Sequence, residues 1–160
     1  MSALRILIAD DHEVVRKGIR SLLEAHPGWE VVAETANGRD AVSSAVRLKP
    51  DVALLDIAMP GLNGLDATRQ ILTDAPNTRV LILTMHDTEQ VVRDVLAAGA
   101  RGFLLKSDAG RDLVSAVEAL QSRLKEMAEE IAILRGNQRR DIAVVPKSTA
   151  LVVWQPRKRR

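Results

Sequence analysis

An open α/β fold, with a parallel β-sheet covered by helices on both faces, is predicted by three features of this chain. Five short apolar runs alternate with stretches of helical periodicity. Several of those runs are apolar at every position instead of every second one, as strands buried on both faces require. The order is strand then helix throughout, which calls for crossover connections and so for parallel neighbours.

The first run, Arg5 to Ala9, contains Ile6-Leu7-Ile8, halts at Asp10 and Asp11, and gives way to a helical pattern near Glu13. The second, Glu30 to Glu34, precedes a helix starting near Gly38. Asp51 to Leu55 is the third, followed by Asp56 and a helix near Gly64. The fourth, Arg79 to Thr84, holds Val80-Leu81-Ile82-Leu83 and leads to a helix near Thr88, and the fifth, Gly102 to Leu105, ends at Lys106 before a helix near Ala109. Five βα units in a flavodoxin-like order, 2-1-3-4-5, bring strands 1, 3, 4 and 5 around one pocket and leave strand 2 at the edge. Ligands of such sheets sit beyond the carboxyl ends of the strands, where the chain order reverses.

Four strand ends therefore deliver Asp10 and Asp11, Asp56, Thr84 and Lys106 to one crevice. Each has an ordinary explanation on its own. Asp10-Asp11 before Glu13 reads as a helix N-cap with first-turn acids, Thr84 as a strand-end residue and Lys106 as a solvated lysine. Asp56 is harder to dismiss, since it follows a wholly apolar run and has no basic residue beside it in sequence. Together the types make chemical sense: Asp56 as nucleophile, Asp10 and Asp11 as ligands of Mg²⁺, Thr84 and Lys106 as donors to phosphoryl oxygens.

The stretches Ile8-Ala9-Asp10-Asp11-His12, Leu54-Leu55-Asp56-Ile57-Ala58-Met59-Pro60-Gly61-Leu62-Asn63-Gly64, Leu83-Thr84 and Gly99 to Lys106 resemble a response-regulator receiver domain of two-component signalling, over residues 4 to about 121. Serine after the lysine, in Leu104 to Ala109, is similar to the NarL/FixJ branch. The resemblance implies that Asp56 takes a phosphoryl group from a sensor histidine kinase, or from small acyl phosphates, with Mg²⁺ held by Asp10, Asp11, Asp56 and the Ala58 carbonyl. It implies that Phe103 is a switch aromatic moving with Thr84, against the plain alternative of core packing, and that Ala58 and His86 tune dephosphorylation. Alanine at 58 cannot position a water, which leaves that task to His86 and to solvent access. His12 and His26 are read as surface residues. The expectation is a phosphoacceptor switch in the cytoplasm, not a metabolic enzyme.

Composition agrees with this placement. One domain of ordinary size with a short appendage accounts for 160 residues that are 46% hydrophobic. Without cysteine there are no disulfides or thiolate metal sites, and 2% aromatic content argues against a base-stacking surface. No apolar stretch approaches the roughly 20 residues of a membrane span. Residues 1–120 carry 13 Lys and Arg against 17 Asp and Glu, a balance of −4, while residues 121–160 carry 10 against 4, a balance of +6. The basic character thus belongs to the tail and says little about the main domain.

Residues 1–121 form the expected receiver unit, and the 39 residues after Gln121 do not resemble the helix-turn-helix output domain of that branch, so DNA binding is not expected from this chain. Leu113, Val117, Leu120, Leu124, Met127, Ile131 and Leu134 instead alternate spacings of four and three, a heptad seam. The first three are assigned to the receiver's own sheet. Over residues 122–136, Leu124, Met127, Ile131 and Leu134 form a stripe that a second chain would cover, giving a homodimer through a parallel coiled coil with Val117, Leu124 and Ile131 at a and Glu130 at g facing Arg135 at e. Roughly three heptads make it marginal by itself. Arg135-Gly136-Asn137 ends the helix, and residues 137–160 form a basic extension, either disordered or a hairpin of Ile142 to Val145 and Leu151 to Trp154. An engineered fusion, a truncation and an unusual natural tail all remain open. The competing function is a constitutive pairing module whose acidic pocket only binds cation; a weaker one is sequence-blind nucleic-acid binding by Arg157 to Arg160.

Overall fold

All five apolar runs form strands, and all five helical patterns form helices, in the computed structural model, which describes residues 3–136, with side chains described to residue 122. The order is β1 Leu4–Ala9, α1 Glu13–Glu24, β2 Trp29–Thr35, α2 Gly38–Leu48, β3 Val52–Asp56, α3 Gly64–Asp74, β4 Arg79–Thr84, α4 Glu89–Ala97, β5 Gly102–Leu105 and α5 Ala109–Gly136. The strands make one parallel sheet in the order β2-β1-β3-β4-β5. This is the flavodoxin-like architecture, with its switch point between β1 and β3.

Successive strand residues point to opposite faces, and both faces are dry. Ile6, Ile8, Leu54, Leu81, Leu83 and Leu104 pack with Ile19 and Leu23 of α1 and Leu113, Val117 and Leu120 of α5. Leu7, Ala9, Ala53, Leu55, Val80, Ile82 and Phe103 pack on the other side with Ala41 and Ala45 of α2, Ala67 and Ile71 of α3 and Val95 of α4. Two cores explain why the runs are continuously apolar. The assignment of Leu113, Val117 and Leu120 to the receiver's own core holds.

Three helix starts carry side-chain caps. Asn37 accepts from Asp40 N–H at 2.8 Å, Asn63 from Asp66 N–H at 2.9 Å, and Thr88 from Val91 N–H at 3.4 Å. Thr88 is thus the cap of α4 and not its first helical residue. The third strand begins one residue later than expected, after Asp51, whose side chain accepts the Arg5 N–H at 2.9 Å, and it runs on to include Asp56. The Asp10-Asp11 cap reading is corrected: the N-cap of α1 is His12, with no side-chain cap bond. Asp10 is buried and its Oδ1 accepts the His12 N–H at 2.8 Å, inside the crevice.

α5 is one continuous helix of 28 residues, reaching Gly136, the last described residue. The side chains of Leu124, Met127, Ile131 and Leu134, and all of residues 137–160 with their hairpin and basic end, lie outside the described residues. Among the described residues no helix is long and apolar enough to cross a membrane.

Candidate functional site

Strand register builds the site. Ala9 pairs with Leu55, so Asp10 and Asp56 emerge at the same level on the two strands flanking the switch point. Asp56 pairs with Leu83 and Thr84 with Leu105, which brings Thr84 and Lys106 to the rim one step further along. After Leu105 a single 3₁₀ turn, Lys106–Asp108, turns the chain into α5.

Lys106 Nζ lies 2.9 Å from both Asp56 Oδ2 and Asp10 Oδ2. Its bond to Asp56 is a well-formed hydrogen bond, whereas Asp10 Oδ2, fully buried, is close to the ammonium yet lacks a properly angled donor. Ala58 N–H reaches Asp56 Oδ1 at 3.3 Å. One ammonium thus serves two buried carboxylates. Burial, joined by the negative charge of Asp10, pushes the Asp56 carboxyl above its usual value, and the Lys106 ammonium and Ala58 N–H only partly oppose this. Burial works against the Lys106 charge, but bonds and attraction to Asp10 and Asp56 outweigh it and raise the lysine above its ordinary value.

The pocket is short of positive charge. Asp10, Asp11, His12 and Asp56 each offer one ligand atom, all within 4.8 Å of one another, which suits a divalent ion. Three carboxylates stand around the single Lys106 ammonium, and a cation would offset the remaining negative charge. Mg²⁺, a hard ion that prefers carboxylate and carbonyl oxygen, fits the three carboxylates of this set.

Thr84 is 4% exposed, and its hydroxyl is occupied locally: it donates to the His86 carbonyl at 2.9 Å and accepts the His86 N–H at 3.1 Å. Phe103 is 3% exposed, inside the core on the α4 side. Ala58 and His86 are exposed at the pocket's edge. His26 lies elsewhere, stacked on Trp29 with centroids 3.7 Å apart.

Three contributors escaped the sequence reading. His12 is exposed, yet its Nδ1 sits 3.3 Å from Asp10 Oδ1 and Asp11 Oδ1; its place directly after the acid pair was the available signal. Arg16 Nη1 donates to the Asp10 carbonyl at 2.7 Å and fixes the β1–α1 loop, one helical turn after His12. Gly64 packs so closely that a Cβ would fall on the Asp56 carbonyl, and its N–H donates to Ile57 O at 2.8 Å.

Residues 6–118 match the response regulator receiver domain family. The transcriptional regulatory protein DegU of Brevibacillus brevis is 41% identical over 117 residues, 73% of this chain and 50% of DegU. The chain spans about half the length of the curated relatives it matches. A two-component response regulator of the LuxR family from Aurantimonas sp. SI85-9A1 superposes with a TM-score of 0.72 and 38% identity, over 85% of this chain and all of that one. The receiver domain of the putative response regulator NarL from Mycobacterium tuberculosis gives a TM-score of 0.72 at 34% identity, over 76% of this chain and 98% of that one. With the sheet order, the acid cluster and the matched span in agreement, the chain belongs to the response regulator receiver domain family of two-component signalling.

Proposed function

We propose that this chain is a phospho-switch in which Asp56 accepts a phosphoryl group from the phosphohistidine of a sensor histidine kinase, in the cytoplasm. The observation that carries the reading is the sharing of one buried ammonium by Asp10 and Asp56, which leaves a carboxylate at a strand end beside unsatisfied negative charge. Asp10, Asp11, Asp56 and the Ala58 carbonyl would hold Mg²⁺. When bound, the ion supplies positive charge to the phosphoryl oxygens.

In the transfer, an Asp56 oxygen forms a bond to phosphorus as the phosphorus–nitrogen bond of the donor imidazole breaks. The imidazole leaves with the bonding pair and takes up one proton. Lys106 Nζ, already on Asp56 Oδ2, offsets the charge of a second phosphoryl oxygen. The Thr84 hydroxyl serves a third by giving up its bond to the His86 carbonyl. That exchange couples phosphorylation to the β4–α4 segment and to Phe103 on β5, reshaping the surface between α4, β5 and α5.

The switch resets when water attacks phosphorus and the bond to Asp56 breaks, yielding inorganic phosphate and the carboxylate. Ala58 offers no polar side chain for this step, so its rate depends on His86 and on solvent access. An unchanged dephosphorylation rate in His86→Ala would remove that role. The extended α5 supplies a homodimer contact in the output, a reading supported by the continuous helix from Ala109 to Gly136.

Acetyl phosphate with Mg²⁺ should add one phosphoryl group, mapped by mass spectrometry to the peptide containing Asp56, and Asp56→Asn should block it. Beryllofluoride with Mg²⁺ should perturb the α4–β5–α5 surface in NMR spectra. Modification at another residue, or none, defeats the proposal.

A further inference from the structure

His12 has no task in the phosphoacceptor scheme, yet it faces the pocket. Its Nδ1 is 3.3 Å from Asp10 Oδ1, 3.3 Å from Asp11 Oδ1 and 3.4 Å from Lys106 Nζ. One nitrogen cannot donate to two carboxylates and accept from an ammonium in the same tautomer, so these neighbours alone do not satisfy it. Packing does not impose the orientation, because the side chain is 65% exposed. Capping does not impose it either, since α1 takes no side-chain bond from its N-cap.

His12 Nδ1 stands from the Oδ1 atoms of Asp10 and Asp11 as neighbouring ligands of one small ion stand, and all four candidate ligand atoms, Asp56 included, lie within 4.8 Å of one another. With bonds of about 2.0–2.1 Å, neighbouring ligands lie about 3.3–3.4 Å apart in a tetrahedral site and about 3.0 Å apart in an octahedral one. Asp10 turns Oδ2 to Lys106 and Oδ1 to His12, so the ammonium and a metal would use different carboxylate edges.

We propose that His12 is a metal ligand that sets which divalent ion the pocket prefers, its Nδ1 joining carboxylate oxygens of Asp10, Asp11 and Asp56. Imidazole is a good ligand for Zn²⁺ and Co²⁺ and a poor exchange for water on Mg²⁺, which holds to oxygen. The pocket of this chain therefore favours Zn²⁺ and Co²⁺ over Mg²⁺ more than an all-oxygen pocket does. The inference rests on reading the pocket as a divalent-ion site.

The test is calorimetric titration of the full chain with Mg²⁺ and, separately, with Zn²⁺, for the unaltered protein, His12→Ala and the control His26→Ala, whose imidazole lies outside the pocket on Trp29. Losing a direct ligand should weaken Zn²⁺ at least as much as losing a supporting partner does, about tenfold or more. Mg²⁺ binding should stay within about twofold, because carboxylates and water complete its shell. Co²⁺ bound to His12→Ala should show a shifted visible spectrum, while His26→Ala should match the unaltered protein in both metals. An unchanged ratio of Zn²⁺ to Mg²⁺ affinity in His12→Ala, whether both fall or neither does, overturns the role of His12. If the unaltered chain neither binds Mg²⁺ nor gains phosphate at Asp56, the pocket reading fails too, so the two failures are distinguishable.

Discussion

Asp56 and Lys106 illustrate how function strains stability at single residues. The folded state holds the Asp56 proton more tightly than the unfolded chain, whose carboxyl has the ordinary value of 3.8. Stability therefore falls as pH rises from 3.8 through the folded titration, and the full penalty persists at neutral pH. Asp56→Asn, which carries no charge, should be more stable than the parent by about 1 kcal/mol at pH 7 and show a flatter profile across that window in urea unfolding. Lys106 has the opposite sign: its raised value adds stability below 10.5 that is lost as pH climbs through the folded titration. Lys106→Ala leaves two buried carboxylates face to face and should cost about 3 kcal/mol without added metal. Millimolar Mg²⁺ should recover part of that loss, seen as a larger rise in Tm than the parent shows. No recovery would mean that the pocket does not use a cation in place of the lysine.

At the scale of elements, the site depends on how closely helices approach strand ends. Gly64 opens α3 against the backbone of Asp56, and Gly38 opens α2 so near Leu62 that a Cβ would fall on its carbonyl oxygen. Both glycines follow capping asparagines, Asn63 and Asn37. Gly64→Ala must displace α3 or the end of β3, at a cost of about 1–3 kcal/mol, and should slow acetyl-phosphate labelling because Asp56 itself moves. Gly110, in the first turn of α5, has open space where a Cβ would go. Gly110→Ala should gain about 0.5–1 kcal/mol with labelling unchanged. The same substitution thus has opposite signs, decided by tertiary approach and not by residue type. Element positions were legible because apolar runs and punctuation agree, while the ends at Asp51 and Thr88, whose side chains each accept a backbone N–H, and at Asp56, which joins the ladder opposite Leu83, shifted by a residue.

Over the whole molecule, the sheet and its two cores account for residues up to Leu120, and α5 continues to Gly136. Those last 16 residues carry the helix about 24 Å beyond Leu120, its last core residue among those whose side chains are described. The root is fastened: Trp29 Nε1 donates to Gln121 Oε1 at 3.2 Å, and His26 Nε2 lies 3.1 Å from Glu118 Oε1. A fastened root and an apolar seam favour pairing of two chains. Sedimentation should find the full chain dimeric at tens of micromolar, about the range of a marginal three-heptad coil, and a chain ending at residue 121 monomeric and still phosphorylatable. A monomeric full chain would leave α5 without the assigned partner.

What the sequence determined by itself was the periodicity: five apolar runs, five helical patterns, and polar residues at four strand ends. These are local properties, because burial on one or two faces dictates which positions along a strand or helix must be apolar. The tertiary structure decided what those ends do to one another. Lys106 sits 50 residues from Asp56 in sequence and 2.9 Å from it in space, and its sharing between two acids follows from strand register. The exchange that Thr84 must make with His86, the turn of His12 into the pocket and the backbone contact of Gly64 have the same origin. Each depends on distances between atoms far apart along the chain, which no periodicity encodes.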